Sequence, residues 1–294
     1  MSRAYQLWDV FTSTPLTGNP LAVVPRAEGM SDETMQAVAR EFNLSETSFV
    51  LPSEVADVRA RFFTPQRELP MAGHPSIGTV YALEREGGIP KDSYLVGLEL
   101  QVGVIKMGLE RRGRKLSSVW MNQGIPELGE IVRDRGMVAT ALGLAVSELE
   151  GSLPVQFASA GVLFVLVPVA SLRALAQARI SQEGIERLVG DKGAGVFVFA
   201  RGEGDAHVRC RMFGEALGVV EDPATGSAHG PLGAYLAEHG ALAFEAETAS
   251  FVSRQGVEMG RPSRLEVGVR RLQEGYQVYV GGSAVLVGEG ELYL

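Results

Sequence analysis

Three short stretches hold most of the side chains able to move a proton or grip an anion. Asn43-Leu44-Ser45-Glu46-Thr47-Ser48-Phe49-Val50 puts a carboxylate at the mouth of an apolar strand. Partial loss of water there raises a carboxyl pKa and suits it to proton exchange near neutral pH. The same position also suits a strand-edge glutamate paired with an arginine. In Glu68-Leu69-Pro70-Met71-Ala72-Gly73-His74-Pro75, His74 falls in the first turn of a helix, where Pro75 is tolerated because its missing N–H costs nothing. The exposed amides of such a turn attract anions, and a histidine beside them either hands over a proton or simply caps the helix. The third stretch, Glu221-Asp222-Pro223-Ala224-Thr225-Gly226-Ser227, gathers two acids, a fixed turn, a glycine and a hydroxyl before another helix. The Gly226 and Ser227 amides could hold a carboxylate, with the Ser227 hydroxyl adding a donor. An N-capped helix with Asp222 opposing the macrodipole also explains Asp222, but leaves the glycine unexplained.

Other chemistries lack their residues. No phosphate loop ends in Gly-Lys-Ser/Thr, no Gly-x-Gly-x-x-Gly follows a strand, and no Gly-x-Ser-x-Gly elbow occurs. His74, His207, His229 and His239 show no metal spacing, and Cys210, the only cysteine, excludes both an intrachain disulfide and a thiolate zinc site. We therefore expect neither metal nor cofactor. His207 and His239 read as structural, on a strand and at a helix end, while His229 falls in the first turn of the second helix. Net charge is −8 with no basic stripe, which argues against nucleic acid or an anionic membrane as partner. The nearest approach to one, Arg111, Arg112, Arg114 and Lys115, reads as a solvated hairpin around Gly113. Val162 to Ala170 is too short to span a bilayer and no signal peptide is visible, so a cytoplasmic location is expected.

The elements that must position these groups are mostly strands. Tyr5 to Phe11, Leu21 to Val24, Thr47 to Leu51, Val58 to Phe63, Gln101 to Leu109 and Ser118 to Met121 read as strands. So do Val162 to Val167, Val196 to Ala200, His207 to Phe213, Arg264 to Val269 and Gln277 to Val280. Helices are expected at Ser31 to Phe42, Gly73 to Glu86 and Gly226 to His239, with shorter ones at Met137 to Leu142 and Ser181 to Val189. Many strands around few helices, without regular βαβ alternation, predict an α+β fold.

The chain also echoes itself. Ser45 to Pro52 resembles Ala160 to Pro168, and Ala72-Gly73-His74-Pro75 stands to its helix as Thr225-Gly226-Ser227-Ala228 does to another, about half a chain later. Two fused copies of one unit would explain this, chance likeness between glycine-rich helix starts being the alternative. The turn at Gln123-Gly124-Ile125-Pro126 is the natural boundary. It gives a first lobe of residues 1–124, completed by a C-terminal strand at 283–294, and a second of 125–282.

Taken together, these blocks resemble the phenazine-biosynthesis PhzF-like family. The resemblance rests on Asp9-Val10-Phe11-Thr12 with Gly18-Asn19-Pro20-Leu21-Ala22-Val23-Val24; on Ser45-Glu46-Thr47-Ser48-Phe49-Val50; on Glu68 to Gly78; and on Glu221 to Ala228. Gly256, Gly260-Arg261-Pro262-Ser263 and Gly281-Gly282-Ser283-Ala284-Val285 form a weaker block. Met71 and Ser76 depart mildly from the family, which often has Phe and Thr there. The resemblance implies a diaminopimelate-epimerase-like fold of two similar lobes, each a mixed β-barrel around a central helix. It also implies a homodimer, an active site in the interlobe cleft and no cofactor. It maps the proton shuttle to Glu46, the assisting acid–base groups to His74 and Asp222, and the substrate-binding groups to Gly73, Gly226 and Ser227. The expected activity is an isomerase that moves a proton between carbons of a small carboxylate-bearing substrate, as the family's namesake does on a dihydro-hydroxyanthranilate. Epimerases and racemases of this fold use two cysteines where this chain has Ala72 and Thr225, so two-thiol chemistry is closed to it. An epimerase or lyase built on Glu46, or a non-catalytic binding protein, remains the alternative.

Overall fold

Glycine punctuation and short β-branched runs break the chain into strands, and only the longer amphipathic or small-residue stretches become helices. The computed structural model describes residues 2–214 and 219–294. The chain divides into two compact units, Met1–Asn122 with Gly281–Leu294, and Gln123–Val280. The first begins with β1 (Ser2–Val10), β2 (Asn19–Val24), α1 (Asp32–Phe42), β3 (Glu46–Leu51), β4 (Val58–Phe63) and β5 (Glu68–Leu69). It continues with α2 (Gly73–Arg85), β6 (Leu95–Leu100), β7 (Gly103–Arg112) and β8 (Lys115–Asn122). The second runs through β9 (Glu127–Ile131), α3 (Arg135–Ala141), β10 (Gln156–Ser159), β11 (Leu163–Pro168), α4 (Leu172–Gln177) and α5 (Gln182–Val189). Then follow β12 (Gly195–Arg201), β13 (Val208–Gly214), β14 (Val219–Asp222), α6 (Gly226–Glu238), β15 (Thr248–Gln255), β16 (Ser263–Arg271) and β17 (Tyr276–Gly282). The last strand, β18 (Ala284–Tyr293), returns to the first unit and pairs antiparallel with β1.

Strand pairing shows that the units are copies. In the first, β1 pairs antiparallel with β2, β2 parallel with β3, β3 antiparallel with β4, and β4 antiparallel with β5 and parallel with β6. In the second, β10 to β15 repeat the same sequence of pairings: β10 with β11, β11 parallel with β12, β12 with β13, and β13 with β14 and, in parallel, with β15. Each unit thus has the architecture expected of an α+β lobe, and α2 and α6 take the same place in it. This register corrects one echo. The strand that carries Glu46, β3, corresponds by pairing to β12, and β11 is the counterpart of β2. A better signal lay unread in Val58-Arg59-Ala60-Arg61-Phe62-Phe63 and Val208-Arg209-Cys210-Arg211-Met212-Phe213, the two copies of one strand.

The central helices are buried on nearly every side, as a helix wrapped by sheet must be. His74 through Leu83 of α2 are buried, as are Ala228 through Ala237 of α6. Small residues make this possible. A Cβ on Gly78 would come 2.4 Å from Leu21 and 2.9 Å from Val10, so the helix lies almost against β2 and β1. By contrast α1 covers one face only. Ser31 caps it by accepting from the Thr34 amide, and its buried Met35, Val38 and Ala39 pack with Phe49 and Phe63. Apolar packing in the second unit is built from α3, α4 and α5 against β11 and β12.

Three further details differ from expectation. Gln101 and Val102 form the turn into β7, and the unforeseen β6 precedes them. β15 also went unforeseen, although Thr248–Gln255 alternates exposed and buried. Arg111 is not solvated: its guanidinium donates to both carboxylate oxygens of Glu84, at 2.9 and 3.0 Å, and its side chain is 6% exposed. Among the described residues no helix is long and apolar enough to cross a membrane.

Each copy is braced beneath the loop that leads into its central helix. Arg61 donates to both oxygens of Glu68, each at 2.7 Å, and lies over the Phe63 ring. Arg211 donates to both oxygens of Glu221, at 2.8 and 3.0 Å, and lies over Phe213. Arg211 also donates to the carbonyls of Leu175, Ala176 and Ala178. Its side chain is only 5% exposed, against 14% for Arg61. Removing one partner of a buried pair strands the other charge, at about 3–5 kcal/mol. Chemical denaturation should therefore show R211M losing stability in that range and R61M losing clearly less. Equal losses would mean that burial does not set the difference.

Candidate functional site

The first unit brings Glu46 and His74 together. Glu46 opens β3, where parallel pairing sets it against Leu21 of β2. His74 is the second residue of α2, and its Nε2 lies 3.4 Å from Glu46 Oε2, with the two side chains 7% and 17% exposed. Asn19, fully buried at the start of β2, fixes the ring from behind. Its Nδ2 lies 3.3 Å from His74 Nδ1, and its Oδ1 accepts from the Ser45 hydroxyl at 3.2 Å. With the amide donating, Nδ1 is the acceptor, so the neutral imidazole carries its hydrogen on Nε2, the nitrogen that lies beside Glu46. Burial pulls His74 down to about 3, which keeps it neutral at ordinary pH. The contact is then a polar one to a carboxylate rather than an ion pair.

The two central helices start alike. Ala72 and Thr225 are their N-cap residues, and neither side chain caps the amides that follow. The first-turn amides of α2 and α6, those of Gly73, Gly226 and Ser227 among them, so receive no cap from the helix's own N-cap residue. Ser76 and His229, one turn in, instead close back on the N-cap carbonyls: Ser76 Oγ donates to Ala72 O at 2.7 Å, and His229 Nδ1 lies 2.8 Å from Thr225 O.

In the second unit Asp222 ends β14 and is 7% exposed. The Thr225 hydroxyl donates to its Oδ2 at 2.5 Å. Gln255, fully buried at the end of β15, donates to the Asp222 carbonyl at 2.7 Å and to Thr225 Oγ1 at 2.9 Å. Its own Oε1 accepts from the Thr225 amide at 3.1 Å. Next to it Gly256 sits at φ +75°, where an added Cβ would lie 2.4 Å from Arg261 O and 2.6 Å from Pro223 O. Only glycine lets that backbone pass so close to the Asp222 turn. His229 is fully buried; its Nε2 lies 2.7 Å from Ser253 Oγ, and burial lowers it to about 4.

The contact between Glu46 and His74 is a property of one copy. Strand pairing puts Gly195 where Glu46 stands, opposite Phe164 rather than Leu21. Ser227 occupies the place of His74, second in its helix. Cys210 is fully buried, its thiol pushed up to about 12 by desolvation and held 3.3 Å from Ser253 Oγ, so it offers no thiolate. Among the described residues no group of three or more His, Cys, Asp or Glu is placed to hold a metal ion. Sequence reasoning named Glu46, His74, Asp222, Gly73, Gly226 and Ser227 but missed the groups that hold them. Asn19 stood before the expected strand Leu21 to Val24 with nothing to mark it as a partner of His74. Thr225 lay within the Glu221 to Ser227 stretch, but Gln255 gave no local signal, because thirty residues separate it from its partner.

With this geometry in place, the comparisons with known proteins are consistent. The model of the phenazine biosynthesis-like protein family matches residues 8–290. The trans-2,3-dihydro-3-hydroxyanthranilate isomerase of Pseudomonas chlororaphis is 38% identical over 292 residues, covering 99% of both chains. The crystal structure of the Bacillus anthracis phenazine biosynthesis protein of the PhzF family superposes with a TM-score of 0.93 at 30% identity, over 100% of both chains. A predicted epimerase from Pseudomonas aeruginosa superposes with a TM-score of 0.79 at 37% identity, over 99% of both. The chain belongs to the PhzF-like phenazine-biosynthesis family, and is an isomerase of that kind within the diaminopimelate-epimerase-like superfamily.

Proposed function

We propose that this chain isomerises a small carboxylate-bearing substrate of the trans-2,3-dihydro-3-hydroxyanthranilate type, moving one proton from carbon to carbon. The observation that carries this reading is the Glu46 carboxylate set 3.4 Å from the buried, neutral His74. Glu46 takes a proton from an activated carbon, the electron pair shifts through the conjugated system, and the same carboxylic acid returns the proton to another carbon. Nothing is gained or lost, so the residues suffice without a cofactor. His74, beside it, stabilises the charge that develops on the substrate. The family resemblance assigns Asp222 to a polar group of the substrate, and Gly73, Gly226 and Ser227 to binding its carboxylate and neighbouring polar atoms. The working form is a homodimer, in keeping with the family resemblance, and light scattering tests that.

Glu46→Gln keeps the shape and removes the shuttle. It should lower kcat on trans-2,3-dihydro-3-hydroxyanthranilate by about 10²–10⁴-fold while leaving the thermal midpoint unchanged. A folded variant retaining most activity would sink the mechanism. Turnover in D₂O should place deuterium on the protonated carbon of the product, with partial labelling if the shuttled proton exchanges slowly. A product that is a stereoisomer of the substrate, rather than a positional isomer, would move the chain to the epimerases.

The buried histidines also set a pH dependence of stability. An unfolded histidine takes up a proton near 6.5, whereas His74 and His229 resist until about 3 and 4. Their contribution is complete above pH 6.5 and is lost as pH falls from there toward those values. Urea unfolding should show stability falling below pH 6.5, and H229N should flatten that slope by about 1 kcal/mol per pH unit. An unchanged slope would show that His229 is charged in the folded state.

A further inference from the structure

We infer that Thr225 and Gln255 are positioning residues, present to aim the Asp222 carboxylate; this rests on the proposed role of Asp222. The argument comes from comparing the two copies of the fold. Pairing of β4 with β6 sets Arg59 against Glu99, and pairing of β13 with β15 sets Arg209 against Arg254, so Gln255 stands in its copy where Leu100 stands in the other. Both are the last residue of their strand. Likewise Asp222 pairs with Met212 as Leu69 pairs with Phe62. Thr225 and Ala72 are the two N-caps.

The same turn into the same helix is therefore closed by Leu69, Ala72 and Leu100 in one copy and by Asp222, Thr225 and Gln255 in the other. Folding the turn does not demand a polar set. A buried polar group costs stability unless every bond is made, and in the second copy Gln255 spends three hydrogen bonds on this turn. The Thr225 hydroxyl receives one of them and passes its own hydrogen to Asp222 Oδ2. This chain, Gln255 to Thr225 to Asp222, fixes both the rotamer of the threonine and the plane of the carboxylate. Arg211, through Glu221, holds the preceding residue.

The test compares T225V, which keeps the shape, with T225S, which keeps the hydroxyl, using trans-2,3-dihydro-3-hydroxyanthranilate and crystal structures of each variant. In T225V the carboxylate should rotate away while α6 stays in place. Because a misplacement of about 1 Å costs on the order of 10²-fold, kcat should fall about 10–100-fold with KM changed less. T225S should recover most of it. T225V added to D222N should lower kcat no further, since there is no carboxylate left to aim. A carboxylate found in the same place in T225V, kcat close to wild type, or additive losses in the double variant would overturn the inference. If D222N alone keeps full activity, the role of Asp222 fails instead, and the carboxylate's position in T225V crystals still decides whether Thr225 aims it.

Discussion

A helix buried on all sides is the constraint from which the rest of each unit follows. Such a helix has no exposed face along its buried length on which to place charge, and only its carboxy-terminal end reaches water. α2 and α6 meet this with glycine, alanine and small hydroxyl residues, and with strands drawn close around them. The sheet must curl because its inner face has only a slim cylinder to cover. The amino-terminal amides of each helix, uncapped by their own N-cap residues, are a polar feature that this packing cannot hide within the helix.

The loops that lead to those amides are under matching constraint. In each copy an arginine on the long strand grips a glutamate on the short strand before the helix, and a phenylalanine two residues on stacks beneath the guanidinium. A bidentate pair of this kind fixes direction as well as distance. The helix starts are therefore placed by side chains far from them in sequence. That the same pair survives in both halves, while nearly every group at the helix starts has changed, separates what the fold needs from what the chemistry needs.

The changed positions divide the labour. The first copy has Glu46, His74 and Asn19 around the mouth of β3, a carboxylate and a neutral imidazole in a dry setting suited to proton exchange. The second has glycine and serine in place of the first two, and carries instead the hydrogen-bonded Asp222 turn. Neither copy offers a usable thiol, since Cys210 is desolvated and Ala72 and Thr225 stand at the helix caps.

The α+β class, the repeat, the two central helices and the candidate acid–base residues were all legible in the amino-acid order. Each writes a local pattern: glycine before a small-residue helix, a carboxylate before an apolar strand, Pro75 in a first turn. The family resemblance rested on the same local blocks. What the sequence left open was every partnership made across the sheet. Ser45 to Pro52 looked like Ala160 to Pro168 because both are apolar runs, but strand register matched the first to Gly195–Arg201, and register is set by hydrogen bonding between chains of residues distant in sequence. Arg111 read as solvated because its neighbours are charged, and only the folded chain shows Glu84 waiting beneath it. Asn19 behind His74 and Gln255 behind Asp222 are alike in this. Their types carry no message until tertiary packing buries them, and then an unmade hydrogen bond becomes too costly to leave.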